Sequence, residues 1–494
     1  MERNLLDRAI EAISPAAGAR RAEARLRLSA LRNAQAMYDG ASRGHRTQGR
    51  KIGSTSADVE TRMSLRRLRD VSRDMERNNA YARRGLTVIP TNVVGTGIVP
   101  SVRKASSDLV KRKVEALIKS HLDTTDIDYD GRQNYAGLQF TAVRTLARDG
   151  EVLAVRYRPK ASLKLTVPLQ VRLLEADYLD DSKDGPDGNF VNVQGVRYDA
   201  AGRRVGYWLF EEHPGNASRA GRSAESKLIP AADVAHLYRI DRPGQTRGVP
   251  WLAPGIMTLW DMKDYEEAEL IRQKVAACFA GFETNTNAGQ TLAGAATTKA
   301  GTPVDILEPG MIHRMAPGSE ITFATPPQVT GYPDYIRMNL RKVASSLDVP
   351  FNEIASDDSQ ENFASSRRGY IVFQRVVEVW RWQAVIPQFC DPIGQWFLEA
   401  ATVPLGGPPR AELDHTPPRR ELISPKEEVP MMRDMIRSGL MTRRETLRSL
   451  GYDPEAVEAE FVEENRSADM VGNSFDSDGR RPVTGPLPDK DTPQ

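Results

Sequence analysis

Cysteine is scarce in this chain. Only Cys278 and Cys390 occur, each inside an apolar helical pattern, so neither a disulfide framework nor a cysteine metal site organises the fold. Both are expected as small core residues in a reducing compartment. Histidine is equally sparse: His45, His121, His213, His236, His313 and His415 show no metal-ligand spacing and no H-E-x-x-H pattern. His236 and His313 fall in strand patterns and are expected as packed or surface residues. A G-x-x-x-x-G-K-[ST] phosphate loop and a G-x-S-x-G elbow are both missing, which excludes a P-loop motor and an elbow-type hydrolase. No apolar run reaches the ~18 residues of a spanning helix, and the charged start, Met1 to Ile10, leads into no signal-like apolar region. A cytoplasmic protein with no membrane partner is expected, in which the sequon Asn216-Ala217-Ser218 has no meaning.

What is present fits a folded protein. Hydrophobic residues make up 40% and charged residues 27% of 494 positions, a length that suggests about three domains or one large elongated body. The net charge of +2 conceals segregation. Between Met1 and Arg84 basic residues outnumber acidic ones roughly two to one, whereas Asp261 to Glu269 and Glu353 to Glu361 are acidic. Met1 to Arg32 has an Arg/Ala-rich helical pattern, and Tyr38 to Ser56 is too polar to pack. Such an arm suits either phosphate contacts, which need no base reading, or a solvated assembly tail.

The periodicity predicts a helix over Asp58 to Tyr81, followed by an apolar, small-residue segment, LTVIPTNVVGTGIVP. Gly95 and Gly97 there imitate a dinucleotide fingerprint but lack its third glycine and its helix. Helices are predicted at Ser107 to His121 and at Tyr135 to Arg148, the second stopped by Asp149-Gly150. Alternating apolar and polar residues then mark a β-rich region to about Ile240. Within it Asp180, Ser182, Asp184 and Gly185 resemble the start of a calcium loop, but Val191 stands where the bidentate Glu is needed.

Gly248 to Phe282 opens with a Pro-containing turn and continues as a helix that is polar on nearly every face from Asp261 to Glu269, with Lys263/Glu267 and Glu269/Arg272 in ion-pair spacing. A helix polar all round bridges domains or packs among charged neighbours. A flexible loop, short strands with Pro309-Gly310 and Pro317-Gly318 turns, and a helix from Tyr332 to Leu347 come after it. Next, Phe351 to Ala400 combines an acidic, Ser/Asn-rich loop with a long helix. Tyr370, Phe373, Val377, Trp380 and Ala384 fall on its core face and Gln374, Glu378 and Arg381 on the other, with a kink or break expected at Pro387 and Pro392. Residues 401–420 read as a Pro/Gly linker. Ser424-Pro425 and Thr442 with Glu445 begin two further helices, and Ser467 to Gln494 is expected to be disordered. Asp357, Asp358 and Glu361 could serve a two-metal nuclease, but one loop with no nearby lysine favours a solvated acidic segment.

Several stretches together resemble the lambda-type portal proteins of tailed bacteriophages: RNNAYARRGLTVIPTNVVGTGIVP, LARDGEVLAVR, HLYRIDRPGQTRGVPWLAPGI, DYEEAELIRQKVAACFAGF, LEPGMIHRMAPGSEI and SQENFASSRRGYIVFQR. The resemblance spans roughly residues 20–465. It implies an α+β portal fold assembled as a ring, typically of twelve subunits, at one capsid vertex. Double-stranded DNA would be packaged through it by the terminase and ejected through it into the tail. The implied regions are a basic arm (1–57), a wing (58–247), a first stem helix (248–282), a clip (283–331), a second stem helix (332–349), a tunnel loop (350–361), a long kinked helix (362–402), a crown-like module (403–466) and a tail (467–494).

The resemblance places Glu353, Asp357, Asp358, Ser359, Asn362, Arg367 and Arg368 at the tunnel loop. Lys263, Glu267, Lys274, Arg337, Arg341 and Lys342 would line the stem channel. Implied partners are further copies of the chain, the large terminase subunit, the major capsid protein, a head-tail connector and double-stranded DNA. No enzyme activity, cofactor or metal is implied, and the location is the virion, with host cytoplasm during assembly. A minor capsid or scaffold protein and a metal-dependent nuclease are the alternatives.

Overall fold

The computed structural model describes residues 53–160, 163–216, 225–277, 281–285, 319–323, 331–357, 359, 363–418, 422, 424–452 and 454–472, with short pieces at 14–16 and 23–24. Contacts divide the chain into Met1–Ser56 and Ala57–Gln494, and all the helices and strands named in this section belong to the second unit. Most of the basic arm, Cys278 and His313 lie outside the described residues.

Three helices open this unit: α1 (Ala57–Arg62), α2 (Leu65–Asn78) and α3 (Ala80–Val93). Leu65, Val71 and Met75 make the inward face of α2. Asn79 is extended, and its side chain accepts from Ala82 N, so one residue both ends α2 and caps α3. The apolar, small-residue segment that follows Tyr81 is therefore helical through Pro90 to Val93. That proline removes one helical N–H, but Leu86, Ile89 and Val93 are fully buried, and tertiary burial overrides the breaker.

Strand β1 (Val99–Lys104) leads to α4 (Asp108–Leu117), capped by Ser107, and to α5 (Tyr135–Asp149), closed by left-handed Gly150 as expected. The β-rich region comes next: β2 (Glu151–Tyr157), β3 (Gln170–Glu175), β4 (Gly185–Asp187), β5 (Phe190–Val193), β6 (Val196–Tyr198), β7 (Arg204–Phe210), β8 (Ser226–Pro230) and β9 (Val234–Tyr238). They form an antiparallel β3-β2-β9 sheet and a five-stranded meander, β4 to β8. Asp180, from the rejected calcium loop, instead accepts from the Ser182 and Ser226 hydroxyls.

A buried ionic knot joins the β3-β2-β9 sheet to the segment at Arg247 and Gly248. Glu151 accepts from Arg247 Nε at 2.9 Å, Arg247 Nη2 at 2.6 Å, His236 Nε2 at 3.0 Å and Gly248 N at 3.0 Å. Burial works to raise the Glu151 carboxyl, but the Arg247 charge and the hydrogen bonds from His236 and Arg247 hold it well below the usual carboxylate range. A Cβ on Gly248 would stand 2.0 Å from the Gly150 carbonyl oxygen, so the backbone at this junction requires glycine.

The chain then enters α6 (Ile256–Ala277), and β10 (Gly281–Asn285) pairs with β11 (Ser319–Phe323). After α7 (Tyr332–Ser346) come the short α8 (Phe351–Ala355) and α9 (Phe363–Trp380), then a π-helical stretch, Arg381–Cys390, and α10 (Asp391–Leu405). The π turns span Pro387, and Pro392 is the second residue of α10, which continues from them without a break in helical backbone. Phe373, Val377 and Trp380 are buried as expected, and so is Cys390.

Two residues assigned to the polar face are also inside. Gln374 is buried, and Arg381 donates from Nε to Val93 O at 2.8 Å and from Nη2 to Asn92 O at 2.7 Å, filling carbonyls left open at the end of α3. The solvent-facing stripe is instead Arg368, Val372, Arg375, Val379 and Trp382.

The 401–420 stretch is no linker: α10 runs into it, and β12 (Glu412–Thr416) pairs antiparallel with β1. Leu413 and His415 of this strand close over Gly394 of α10, which holds the strand in the body. Helices α11 (Pro425–Arg437), α12 (Arg443–Ser449) and α13 (Pro454–Val471) complete the unit. The Thr442 cap on Glu445 N is present. Helix α13 continues past 466, so residues 467–471 are ordered, and the rest of the expected tail lies outside the described residues beyond 472.

Candidate functional site

Two antiparallel helices and one strained loop make the candidate site. Near the body, Gly255 packs against Ser346 and Val343; farther along, the Tyr265 ring meets Tyr332 at 5.8 Å and Tyr335 at 4.4 Å. These two levels fix α6 and α7 as a hairpin. Its base is anchored in the core, where Trp251 N donates to Ala147 O and the Trp251 ring lies 4.8 Å from Trp380.

Left-handed Asp348 (φ 55°) and Ser356 (φ 52°) bracket α8 and turn the chain sharply on both sides of it. Ile354 and Leu347 plug this segment onto α3, where a Cβ on Gly85 would come within 2.6 Å of Leu347 Cδ1. The charges of the loop are tied to its supports. Arg84 Nε donates to Glu353 O at 2.8 Å, with Nη2 3.5 Å from the Glu353 carboxylate. Arg337 Nη2 lies 3.9 Å from Asp357, and Asp357 Oδ1 accepts from Ser359 N at 3.1 Å. Hydrogen bonds from Ser359, followed by the charge of Arg337, lower the Asp357 carboxyl despite its exposure.

The expected site residues divide into groups. Glu353, Asp357 and Ser359 share the loop, whereas Asp358 and Asn362 lie outside the described residues. Arg367 turns away from the loop acids to Glu427 at 3.3 Å and Glu428 at 3.8 Å on α11. Arg368 is exposed and has no ion-pair partner among the described residues. On α6, Lys263 and Glu267 are 4.0 Å apart as their spacing implied, and they share an exposed stripe with Leu270 and Lys274. On α7, Arg337 is engaged by Asp334 and Asp357, Arg341 lies 5.5 Å over the Phe351 ring, and Lys342 Nζ donates to Asn339 Oδ1 at 3.0 Å.

Sequence reasoning missed Arg84, Arg381 and the Glu151 knot, because their partners are 53 or more residues distant in the chain and leave no local pattern. It also missed the cluster of Glu175, Asp177 and His213, whose ligand-type atoms converge closely enough to hold a cation. Arg73 contacts both carboxylates, while Arg69 and Arg148 take one each, so guanidinium groups already supply the positive charge there. A groove of about 700 Å³ along α13 is lined by Tyr452, Phe461, Glu460, Glu463, Glu464 and Ser467. Among the described residues no helix is long and apolar enough to cross a membrane.

A family model described as "Phage portal protein, lambda family" matches residues 43–381. A relative from Halomonas phage phiHAP-1, described as "Probable portal protein", is 25% identical over 439 residues, covering 82% of this chain and 81% of that protein. Among solved structures, the neck of an empty GTA particle aligns with a TM-score of 0.47 at 14% identity, covering 82% of this chain and 96% of the other. An HK97-family phage portal protein from Corynebacterium diphtheriae aligns with a TM-score of 0.29 at 12% identity, covering 74% and 96% of the two chains.

Proposed function

The chain belongs to the lambda family of phage portal proteins, and on that premise we propose that copies of it close into a ring, of twelve subunits, whose bore passes double-stranded DNA. The observation that carries this reading is the family match across most of the chain together with the curated phage relative. The ring would sit at one capsid vertex, held by the major capsid protein. The large terminase subunit would dock at its outer end during packaging, and a head-tail connector afterwards. Its role is structural: it guides the duplex, and the motor chemistry belongs to the terminase.

The α6–α7 hairpin supports a stem, and the β10–β11 pair beyond it a clip. Residues 350–361 would form the tunnel loop, α9 to α10 the long helix behind it, the sheets before Gly248 the wing, and α11 to α13 the crown. The left-handed Asp348 and Ser356 make a projecting loop physically reasonable, because they turn the chain out and back within a few residues.

DNA must slide without being gripped. Repeated around a ring, Glu353, Asp357 and Asp358 would repel phosphates over a Debye length of ~8 Å. Arg84 and Arg337 would hold the acids at a fixed radius, and exposed pairs of this kind leave most of the outward field in place. Lys263, Glu267 and Lys274 would line the stem with alternating charge, and Arg368 would offer the duplex a weak basic counterweight.

The test is packaging. Particles built with Asp357→Lys/Asp358→Lys should form normal rings and capsids but fill poorly with DNA. Normal filling would remove the repulsive-bore account.

A further inference from the structure

We propose that one face of α6 docks onto the outer face of α7 in the next copy of this chain, as a charge-matched, head-to-tail contact. The inference rests on the proposed ring and specifies which surfaces close it.

Helix α6 has two exposed stripes. One carries Lys263, Glu267, Leu270 and Lys274; the other carries Met257, Asp261, Asp264 and Ile271 at 4, 3 and 7 residue spacing. In the second stripe two carboxylates sit between large apolar side chains, Met257 at 62% and Ile271 at 61% exposure. Neither Asp261 nor Asp264 has an ion-pair partner among the described residues. On the outer face of α7 the opposite arrangement occurs. Arg341 and Lys342 are exposed beside Met338, which is 55% exposed, and neither cation is paired with a carboxylate among the described residues.

The heights match. With Gly255 level with Val343 to Ser346 and Tyr265 level with Tyr332 to Tyr335, Asp261 falls opposite the middle of α7. Arg341 and Lys342 are then within about one turn, ~5.4 Å, of the Asp261 level. Rotation about an axis parallel to the hairpin preserves height, so neighbouring copies would bring these groups together. Because the two patches differ and lie on different helices, the contact is heterologous, the kind that closes into rings when the rotation permits. Charged groups flanked by apolar anchors also fix register more than they add affinity. This assigns Arg341 and Lys342 to the joint between copies and leaves the Lys263 stripe for the bore.

The experiment uses the full chain and two charge-reversed variants, Asp261→Arg/Asp264→Arg and Arg341→Glu/Lys342→Glu. Assembly is read by mass photometry and negative-stain images. Each variant alone should lose rings while keeping a wild-type circular dichroism spectrum. An equimolar mixture should regain rings, because in an alternating ring every joint pairs an arginine- or lysine-bearing face with an acidic one. Should a reversed variant misfold, Asp261→Asn/Asp264→Asn is the second test, with a several-fold higher protein concentration needed for half-assembly. Rings from either reversed variant alone, or wild-type assembly by the Asn variant, would overturn the docking inference and leave the ring reading standing. Failure of the wild-type chain itself to form closed oligomers would overturn the ring reading first.

Discussion

Arg247 Nη2 lies 2.6 Å from Glu151 Oε1, with both side chains shut away from solvent. The remaining Arg247 donors reach Gln194 O at 2.8 Å and Ala176 O at 3.4 Å, so one guanidinium fastens the entrance of the hairpin to both sheets. Arg247→Met should strip the buried Glu151 carboxylate of its main guanidinium partner and leave it Arg69 at 3.7 Å, His236 and Gly248 N, at a cost of up to about 3–5 kcal/mol. Urea unfolding reads this as a lower midpoint. The double variant Glu151→Gln/Arg247→Met should lose clearly less, and equal losses would show that the pair is not the coupling element.

Acid should weaken the same knot in two stages. Burial lowers the His236 imidazole below its usual value although the Glu151 carboxylate pulls the other way, so the folded ring is neutral near pH 7. The unfolded chain protonates this histidine below ~6.5 and Glu151 below ~4.3, whereas both folded values are depressed. Below each of those points the unfolded state binds more protons, and stability falls with pH toward the folded values. His236→Asn should flatten the loss between pH 7 and 5 in urea melts; an unchanged slope would assign that loss to other groups.

Arg381 closes the open end of α3, and Glu378 holds it there at 2.8 Å. Arg381→Met should cost about 1.5–3 kcal/mol for the lost charged hydrogen bonds, more than Glu378→Gln, which leaves both carbonyls satisfied. Thermal melts of the two variants check the order.

Gly85 gives α8 its seat. Gly85→Ala puts a methyl 2.6 Å from Leu347 Cδ1 and should cost about 1–3 kcal/mol, with faster amide exchange concentrated at residues 347–355. Uniform exchange would mean that the loop does not depend on this contact.

The helices and strands with strong periodicity were legible in the sequence, as were the Gly150 stop and the Thr442 cap, because those signals are local. Helix α3 was hidden by Pro90, whose propensity tertiary burial overrides. The inward turn of Arg381 was hidden for another reason: it answers carbonyls almost 290 positions away, and a polar residue at helical spacing reads as solvent-facing unless that partner is known. Strand β12 was likewise concealed by its Pro/Gly flanks and by a partner strand from the start of the chain. For the loop, the acidic character of Glu353 and Asp357 was plain in the sequence, but the arginines that restrain it, Arg84 and Arg337, were not identifiable as its partners.

Electron microscopy of the purified full-length chain tests the central claim most directly. The account predicts closed rings with a central opening wide enough for a duplex. A population of monomers or solid, channel-free particles under conditions where the chain is folded would contradict it.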